Sequence, residues 1–200
     1  MATCDATLGL AAKRALFLDR DGVIHVDRGY VHRIEDVEYI DGIFDLARAA
    51  VSLDLILVVV TNQAGIGRGY YSESDFFQLM VEIRKRFEDE RAPLSAVYHC
   101  PHHPEHGIGA YQFDCQSRKP NPGMLLKAAR EHRIFLGGSA LLGDRETDMI
   151  AGARAGLAER LLVNEVPPNP ESAATRHYET VAAAAIAMPR LAADLVASKA

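Results

Sequence analysis

Residues 15–23 read Ala-Leu-Phe-Leu-Asp-Arg-Asp-Gly-Val, an apolar run that stops on two carboxylates, Asp19 and Asp21, and a glycine. Such a run suits a strand, and its charged end belongs where a crevice opens at the edge of a sheet. Downstream, apolar residues at 43, 46, 47, 50 and 53 have the spacing of one helix face. Residues 55–60, Leu-Ile-Leu-Val-Val-Val, are apolar throughout, which suits a central parallel strand buried on both faces. A helix over 72–91, opened by Ser-Glu-Ser-Asp capping residues, and a strand over 95–100 come next. Residues 101–122 are irregular, with prolines at 101, 104, 120 and 122. The pattern then predicts a helix over 122–132, a strand over 140–143, a helix over 146–155 and a strand over 160–163. A proline-rich loop near 167–170 and a closing helix over 191–198 complete the chain.

Strand–helix alternation of this kind predicts a three-layer, Rossmann-like α/β fold, a parallel sheet flanked by helices with right-handed crossovers. No repeat or low-complexity linker divides the 200 residues. The expectation is one domain over 1–200, with its core at about 15–163, an irregular Cys/His loop over 100–118 and no large cap domain.

Composition narrows the function. Lys and Arg number 22 against 27 Asp and Glu, a formal charge of −5, so no basic face marks a nucleic-acid or anionic-membrane binder. The longest apolar run, 181–188, is far below the roughly 20 residues that span a bilayer. Residues 1–14 lack the pattern of a secretory signal, and three cysteines make no disulfide framework. A cytoplasmic protein is expected, with Cys4 an exposed tail residue.

The strand ends carry the chemistry. Asp19, Asp21 and Gly22 follow the first strand, Thr61-Asn62-Gln63-Ala64 the second, Arg118-Lys119-Pro120 lie in the irregular segment, and Gly143-Asp144-Arg145 follow a later strand. Each alone reads as turn or surface chemistry; all four in chain order at strand ends fit phosphoryl transfer. A carboxylate can attack phosphorus, but two like charges about 4 Å apart at low dielectric repel by several kcal/mol. Cations must offset that. Asp19, the Asp21 carbonyl and Asp144 are candidate Mg²⁺ ligands, and Lys119 adds a point charge. Thr61 and nearby N–H groups suit the equatorial oxygens, and the Asp21 side chain is free for acid/base work. Arg118 and Arg145 are further cations that would suit a second anionic group on the substrate.

Four segments, FLDRDGV (17–23), VTNQ (60–63), RKP (118–120) and GDRETD (143–148), resemble the four motifs of the haloacid dehalogenase (HAD) superfamily. DRDGVIHVDRGYVHRIEDVEYIDG (19–42), TNQAGIGRGYYSE (61–73) and CPHHPE (100–105) are similar to its heptose-bisphosphate phosphatase and histidinol-phosphatase group. The resemblance implies a Mg²⁺-dependent phosphomonoester hydrolase, with Asp19 as nucleophile, Asp21 as acid/base, and Thr61 and Lys119 on the phosphoryl group. It puts Mg²⁺ on Asp19, Asp21 and Asp144, and substrate contacts on Asp27, Arg28, Gly29, Tyr30, Thr61, Asn62, Gln63, Ala64, Arg118, Lys119 and Arg145. The implied substrate is a small sugar phosphate, first a heptose bisphosphate on the way to surface glycans, with histidinol phosphate as the alternative. The implied state is a monomer. A non-catalytic sugar-phosphate or metal-binding module on the same fold is the reading from another class, and it gives Asp21 no task.

Cys100-x-His102 and Cys115 have near metal-ligand spacing, and the family places a fourth ligand, a cysteine, at the position held here by Ser117. Three readings stand at this point. One is a structural Zn²⁺ on Cys100, His102 and Cys115, with His103, His106 or water as fourth ligand. The second is a metal-free loop held by packing, and the third is redox or incidental thiols.

Overall fold

The computed structural model describes residues 12–197; Cys4 and Ser198 lie outside them. The elements in chain order are β1 (Arg14–Leu18), α1 (Ile43–Ser52), β2 (Leu55–Asn62), α2 (Ala64–Gly67), α3 (Glu73–Asp89), β3 (Leu94–Cys100), α4 (Gly123–His132), β4 (Ala140–Gly143), α5 (Glu146–Ala155), β5 (Glu159–Val163), β6 (Arg176–Tyr178) and α6 (Val181–Ala197). The strands form one sheet in the order β3-β2-β1-β4-β5-β6, and every neighbouring pair is parallel. β1 therefore sits at the centre between β2 and β4, where the chain's winding reverses. That is where such sheets open a crevice.

Both faces of the central strands are covered, as their unbroken apolar runs require. Leu16, Leu18, Leu57 and Val59 pack with α1, α3 and α6, while Phe17, Val58 and Val60 pack on the other face with α4 and α5. Helix α3 opens with a capping box: the Asp75 N–H donates to Ser72 Oγ and the Ser72 N–H donates back to Asp75 Oδ2. Such a cap stabilises a helix start by about 1 kcal/mol.

The structure differs from the sequence reading in three places: β2 runs on through Thr61 and Asn62 into the short helix α2, and the last helix and the last strand were not anticipated as they stand. The last helix begins at Val181 and runs through Pro189. Val181, Ala184, Met188, Leu191 and Leu195, at alternating spacings of three and four, are all buried, and that burial outweighs the roughly 3 kcal/mol cost of an internal proline. Strand β6, Arg-His-Tyr, is a half-buried edge strand with no apolar run to announce it. The two long connections, 19–42 and 101–122, contain no helix beyond single 3₁₀ turns at Ile34–Asp36 and Gly109–Tyr111. They form the walls of the crevice, in place of a cap domain.

Candidate active site

Asp19 is the first residue after β1, and its backbone N–H still donates to Leu142 O of β4, so it is fixed by the sheet itself. Asp144 follows β4. Between them Lys119 enters from the 101–122 connection and is buried. Its Nζ lies 2.9 Å from Asp19 Oδ2, 2.5 Å from Asp148 Oδ1 and 2.9 Å from Val60 O. Asn62 holds this segment in place: its amide donates to Lys119 O and its oxygen accepts the Lys119 N–H, each at 3.0 Å.

Burial penalises the ammonium of Lys119, but Asp148 and Asp19 outweigh it and hold its pKa above the usual value. Asp19 is pushed up to about 7 by burial, with Asp148, Asp144 and Asp21 adding to the rise and Lys119 opposing it. Asp144 is pushed up to about 6 by burial and by Asp148. Three carboxylates therefore share one lysine. Asp148 was not singled out from the sequence; it caps α5 by accepting the Arg145 N–H on Oδ2, which turns its other oxygen to Lys119.

Oxygen atoms of Asp19, Asp144 and Asp148 lie within 4.8 Å of one another, and Asp144 Oδ1 is buried with no hydrogen-bond partner among the described residues. An all-oxygen acidic cluster with an orphaned oxygen and surplus negative charge fits a hard divalent cation such as Mg²⁺. Gly22 keeps the space clear. At φ +80°, a Cβ on it would lie 2.4 Å from Asp144 Oδ2. The side chain of Asp21, by contrast, is outside this cluster.

Asp21 sits in a separate network. Arg20 donates to both its oxygens, Nη2 to Oδ1 at 2.9 Å and Nε to Oδ2 at 3.1 Å. Gln63 Nε2 donates to Oδ2 at 2.9 Å and to Thr61 Oγ1 at 2.8 Å, and the Tyr71 hydroxyl orients that amide by donating to Gln63 Oε1 at 2.5 Å. Buried His25 places Nε2 3.6 Å from Asp21 Oδ1. Burial alone would raise the Asp21 pKa, but Arg20, His25 and Gln63 hold it below the usual carboxylate range.

Above these groups opens a cavity of about 420 Å³, lined among others by Asp19, Asp21, Asp27, Lys119 and Arg118. Gly29, Tyr30, Asn62, Gln63, Ala64 and Arg145 also reach it. Thr61 is fully buried just beneath. Arg28 does not line the cavity; it is exposed and paired with Glu38. The turn explains this: Gly29 and Tyr30 have φ of +75° and +58°, and Gly29 N donates to Asp27 Oδ1, so successive side chains point apart. Arg145 is held by Asp27 at 2.8 Å and lies 3.6 Å from Asp144. Arg118 donates to His102 O at 3.2 Å. The sequence reading missed Arg68, which lines the cavity and donates to the Tyr30 hydroxyl at 2.9 Å. It missed His103 as a cavity residue as well. The segment GIGRGYY (65–71) held the signal for Arg68, an arginine among glycines two turns after a strand.

Ligand atoms of Cys100, His102 and Cys115 lie within 4.8 Å of one another, with Cys100 Sγ 3.6 Å from His102 Nδ1. Neither His103 nor His106 joins them: His103 Nδ1 accepts the backbone N–H groups of Glu105 and His106, and the two rings stack on each other at 4.7 Å. Ser117 approaches through its backbone, whose N–H donates to Cys115 Sγ at 3.4 Å. Burial pushes the Cys100 thiol up to about 12. Two thiols and an imidazole fit a soft ion such as Zn²⁺, one protein donor short of a closed tetrahedral site.

The arrangement has known counterparts. The chain is 50% identical over 183 residues to the D-glycero-alpha-D-manno-heptose-1,7-bisphosphate 7-phosphatase of Burkholderia mallei, covering 92% of each chain. It is 45% identical over 157 residues to the D-glycero-beta-D-manno-heptose-1,7-bisphosphate 7-phosphatase of Vibrio cholerae, covering 78% of this chain and 84% of that one. Residues 116–184 match the HAD-hydrolase-like family. A solved D,D-heptose 1,7-bisphosphate phosphatase from B. bronchiseptica, complexed with magnesium and phosphate, superposes with a TM-score of 0.75 at 27% identity, covering 88% of this chain and 98% of that one.

Proposed function

The chain belongs to the heptose-1,7-bisphosphate 7-phosphatases, a family of HAD-like phosphatases, and from that premise we propose that it removes the 7-phosphate of a D-glycero-D-manno-heptose 1,7-bisphosphate through Asp19. The observation that carries the reading is the pairing of buried Asp19, fixed by β4 and Lys119, with Asp21 two residues on, both facing one cavity.

Asp19 is aimed by two donors, its neighbour Arg20 N–H at 2.7 Å to Oδ1 and Lys119 Nζ to Oδ2. One carboxylate oxygen attacks phosphorus, and the bond to the sugar oxygen breaks as the aspartyl-phosphate forms. Asp21 supplies the proton to the departing alkoxide. It then takes a proton from the water that attacks the aspartyl-phosphate, which frees phosphate and restores Asp19. Lys119 offsets charge on the phosphoryl oxygens in both steps, and Thr61 lies beneath the same pocket. Asp19, Asp144, Asp148 and the Asp21 carbonyl would hold Mg²⁺, which supplies charge neutralisation on the phosphoryl group.

Arg68, Arg118 and Arg145 on the cavity wall favour a substrate with a second anionic group over cationic histidinol phosphate. Arg145 is engaged by Asp27 until an anion competes for it. On the same reading Cys100, His102 and Cys115 would hold a Zn²⁺ whose task is structural, since the loop that carries them also carries Arg118 and Lys119. The chain works as one unit, a monomer, in the cytoplasm, on the route to nucleotide-activated heptose for surface glycans such as lipopolysaccharide. A kcat/KM panel tests the assignment. Heptose 1,7-bisphosphate should exceed histidinol phosphate by at least about tenfold, equivalent to about 1.4 kcal/mol of discrimination; the reverse order would overturn it.

A further inference from the structure

Arg20 is the largest fully buried side chain among the described residues, 1% exposed, in a position whose neighbours on both sides are the reacting carboxylates. Its Nη2 also donates to Val31 O at 3.0 Å, and its Cζ lies 5.6 Å from the centre of the Phe76 ring. Its Nη1 is buried with no hydrogen-bond partner among the described residues. Burying a guanidinium against one carboxylate is a poor way to stabilise a fold, because well-packed apolar residues commonly do as well or better. The cost needs another explanation, and the contacts supply one. The guanidinium fork takes both oxygens of Asp21, which fixes the plane of the carboxylate as well as its distance from the cavity. Gln63, oriented by Tyr71, closes on Oδ2 from a second side. Asp21 itself remains 20% exposed, open toward the cavity it lines.

We propose that Arg20 is a positioning residue for acid catalysis: it holds the Asp21 carboxylate in the orientation from which a proton passes to the leaving sugar oxygen. In that step the proton that Asp21 took from water in the preceding turnover leaves an Asp21 oxygen for the alkoxide as the phosphorus–oxygen bond breaks, and the carboxylate left behind is held by the Arg20 fork. Val31 and Phe76 in turn hold Arg20, so that the orientation is built into the fold. The proposal rests on Asp21 being the acid/base.

The experiment compares two leaving groups. An alkyl ester such as heptose 1,7-bisphosphate needs its leaving oxygen protonated, while p-nitrophenyl phosphate releases a phenolate that does not. Arg20→Met should lower kcat/KM for the heptose ester by about 100-fold or more, within the range for loss of acid catalysis, and for the aryl ester by less than about fivefold. Arg20→Lys, which keeps a charge but not the fork, should show the same split at smaller size. Equal losses on both esters, no loss on either, or failure of both variants to fold would overturn the proposal, because Arg20 would then serve only the fold. Asp21→Asn separates the two claims. If Asp21→Asn shows no leaving-group split, the acid/base reading falls with it; if Asp21→Asn shows the split and the Arg20 variants do not, only the role of Arg20 falls.

Discussion

Two clusters in this protein bring three metal-ligating side chains within 4.8 Å, and they are built on opposite plans. Asp19, Asp144 and Asp148 stand at the end of β1, the end of β4 and the start of α5, so each is aimed by an element anchored in the sheet. Cys100 closes β3, but His102 and Cys115 sit on an irregular connection held by turn and side-chain hydrogen bonds rather than by the sheet ladder. The acidic cluster carries surplus charge and holds a buried lysine to offset part of it; in the thiol cluster burial pushes Cys100 up to about 12 and so favours its protonated form. An ion therefore has a different task in each. At the strand ends it relieves a repulsion that exists without it, and in the loop it must first displace protons from thiols.

Breaking the acidic cluster should give the largest effect. Asp19→Asn should lower kcat by about 10⁴-fold or more while leaving the far-ultraviolet circular dichroism unchanged; retained activity would remove Asp19 from the nucleophile's role. Lys119→Met strips the offsetting charge from two buried carboxylates and should cost about 3–5 kcal/mol of unfolding free energy at pH 7, read by denaturant titration. In the loop, Ser117→Cys supplies a third thiol, and so a fourth donor, beside Cys115 and should tighten Zn²⁺ at least about tenfold in a chromophoric-chelator competition. An unchanged affinity would mean that the fourth position is already closed by another group. The smallest effect concerns pH. Asp19 and Asp144, raised from 3.8 to about 7 and about 6, bind protons more tightly folded than unfolded. Without a cation, their contribution to stability falls as pH rises from about 4 to 7. Mg²⁺ competes with those protons and should therefore raise Tm more at pH 7 than at pH 5; an equal shift at both values would contradict the shared-charge picture.

The contrast between the clusters is also a contrast in what the residues alone reveal. Asp19, Asp21, Thr61, Lys119 and Asp144 were legible because each marks the end of an apolar run or stands in a loop too polar and proline-rich to be core. Asp148 was not, since its place depends on the direction in which α5 starts and on a cap that bends it back. Arg20 has no role in the sequence reading, and only the packing of Phe76 and the 19–42 connection buries it. Arg28 shows the opposite error. Its neighbours in the string reach the cavity, but two successive positive-φ residues turn it outward. In the scaffold, the buried strands were plain from their apolar runs. The short polar β6 has no apolar run, and α6 carries the three-and-four spacing from Val181 on but Pro189 reads as a break in it, so packing against the sheet decides both.

Gly22 offers no side-chain donor, acceptor or charge, and yet it sets a limit on the acidic cluster that no ligand sets. An added methyl group would collide with Asp144 Oδ2. The position is thus a reserved volume: the cluster depends on an atom that is absent, and a change there would push a ligand aside without altering any ligand. Searches for catalytic residues that weigh only functional groups will pass over such a position, whereas one that measures unoccupied space beside a carboxylate will find it.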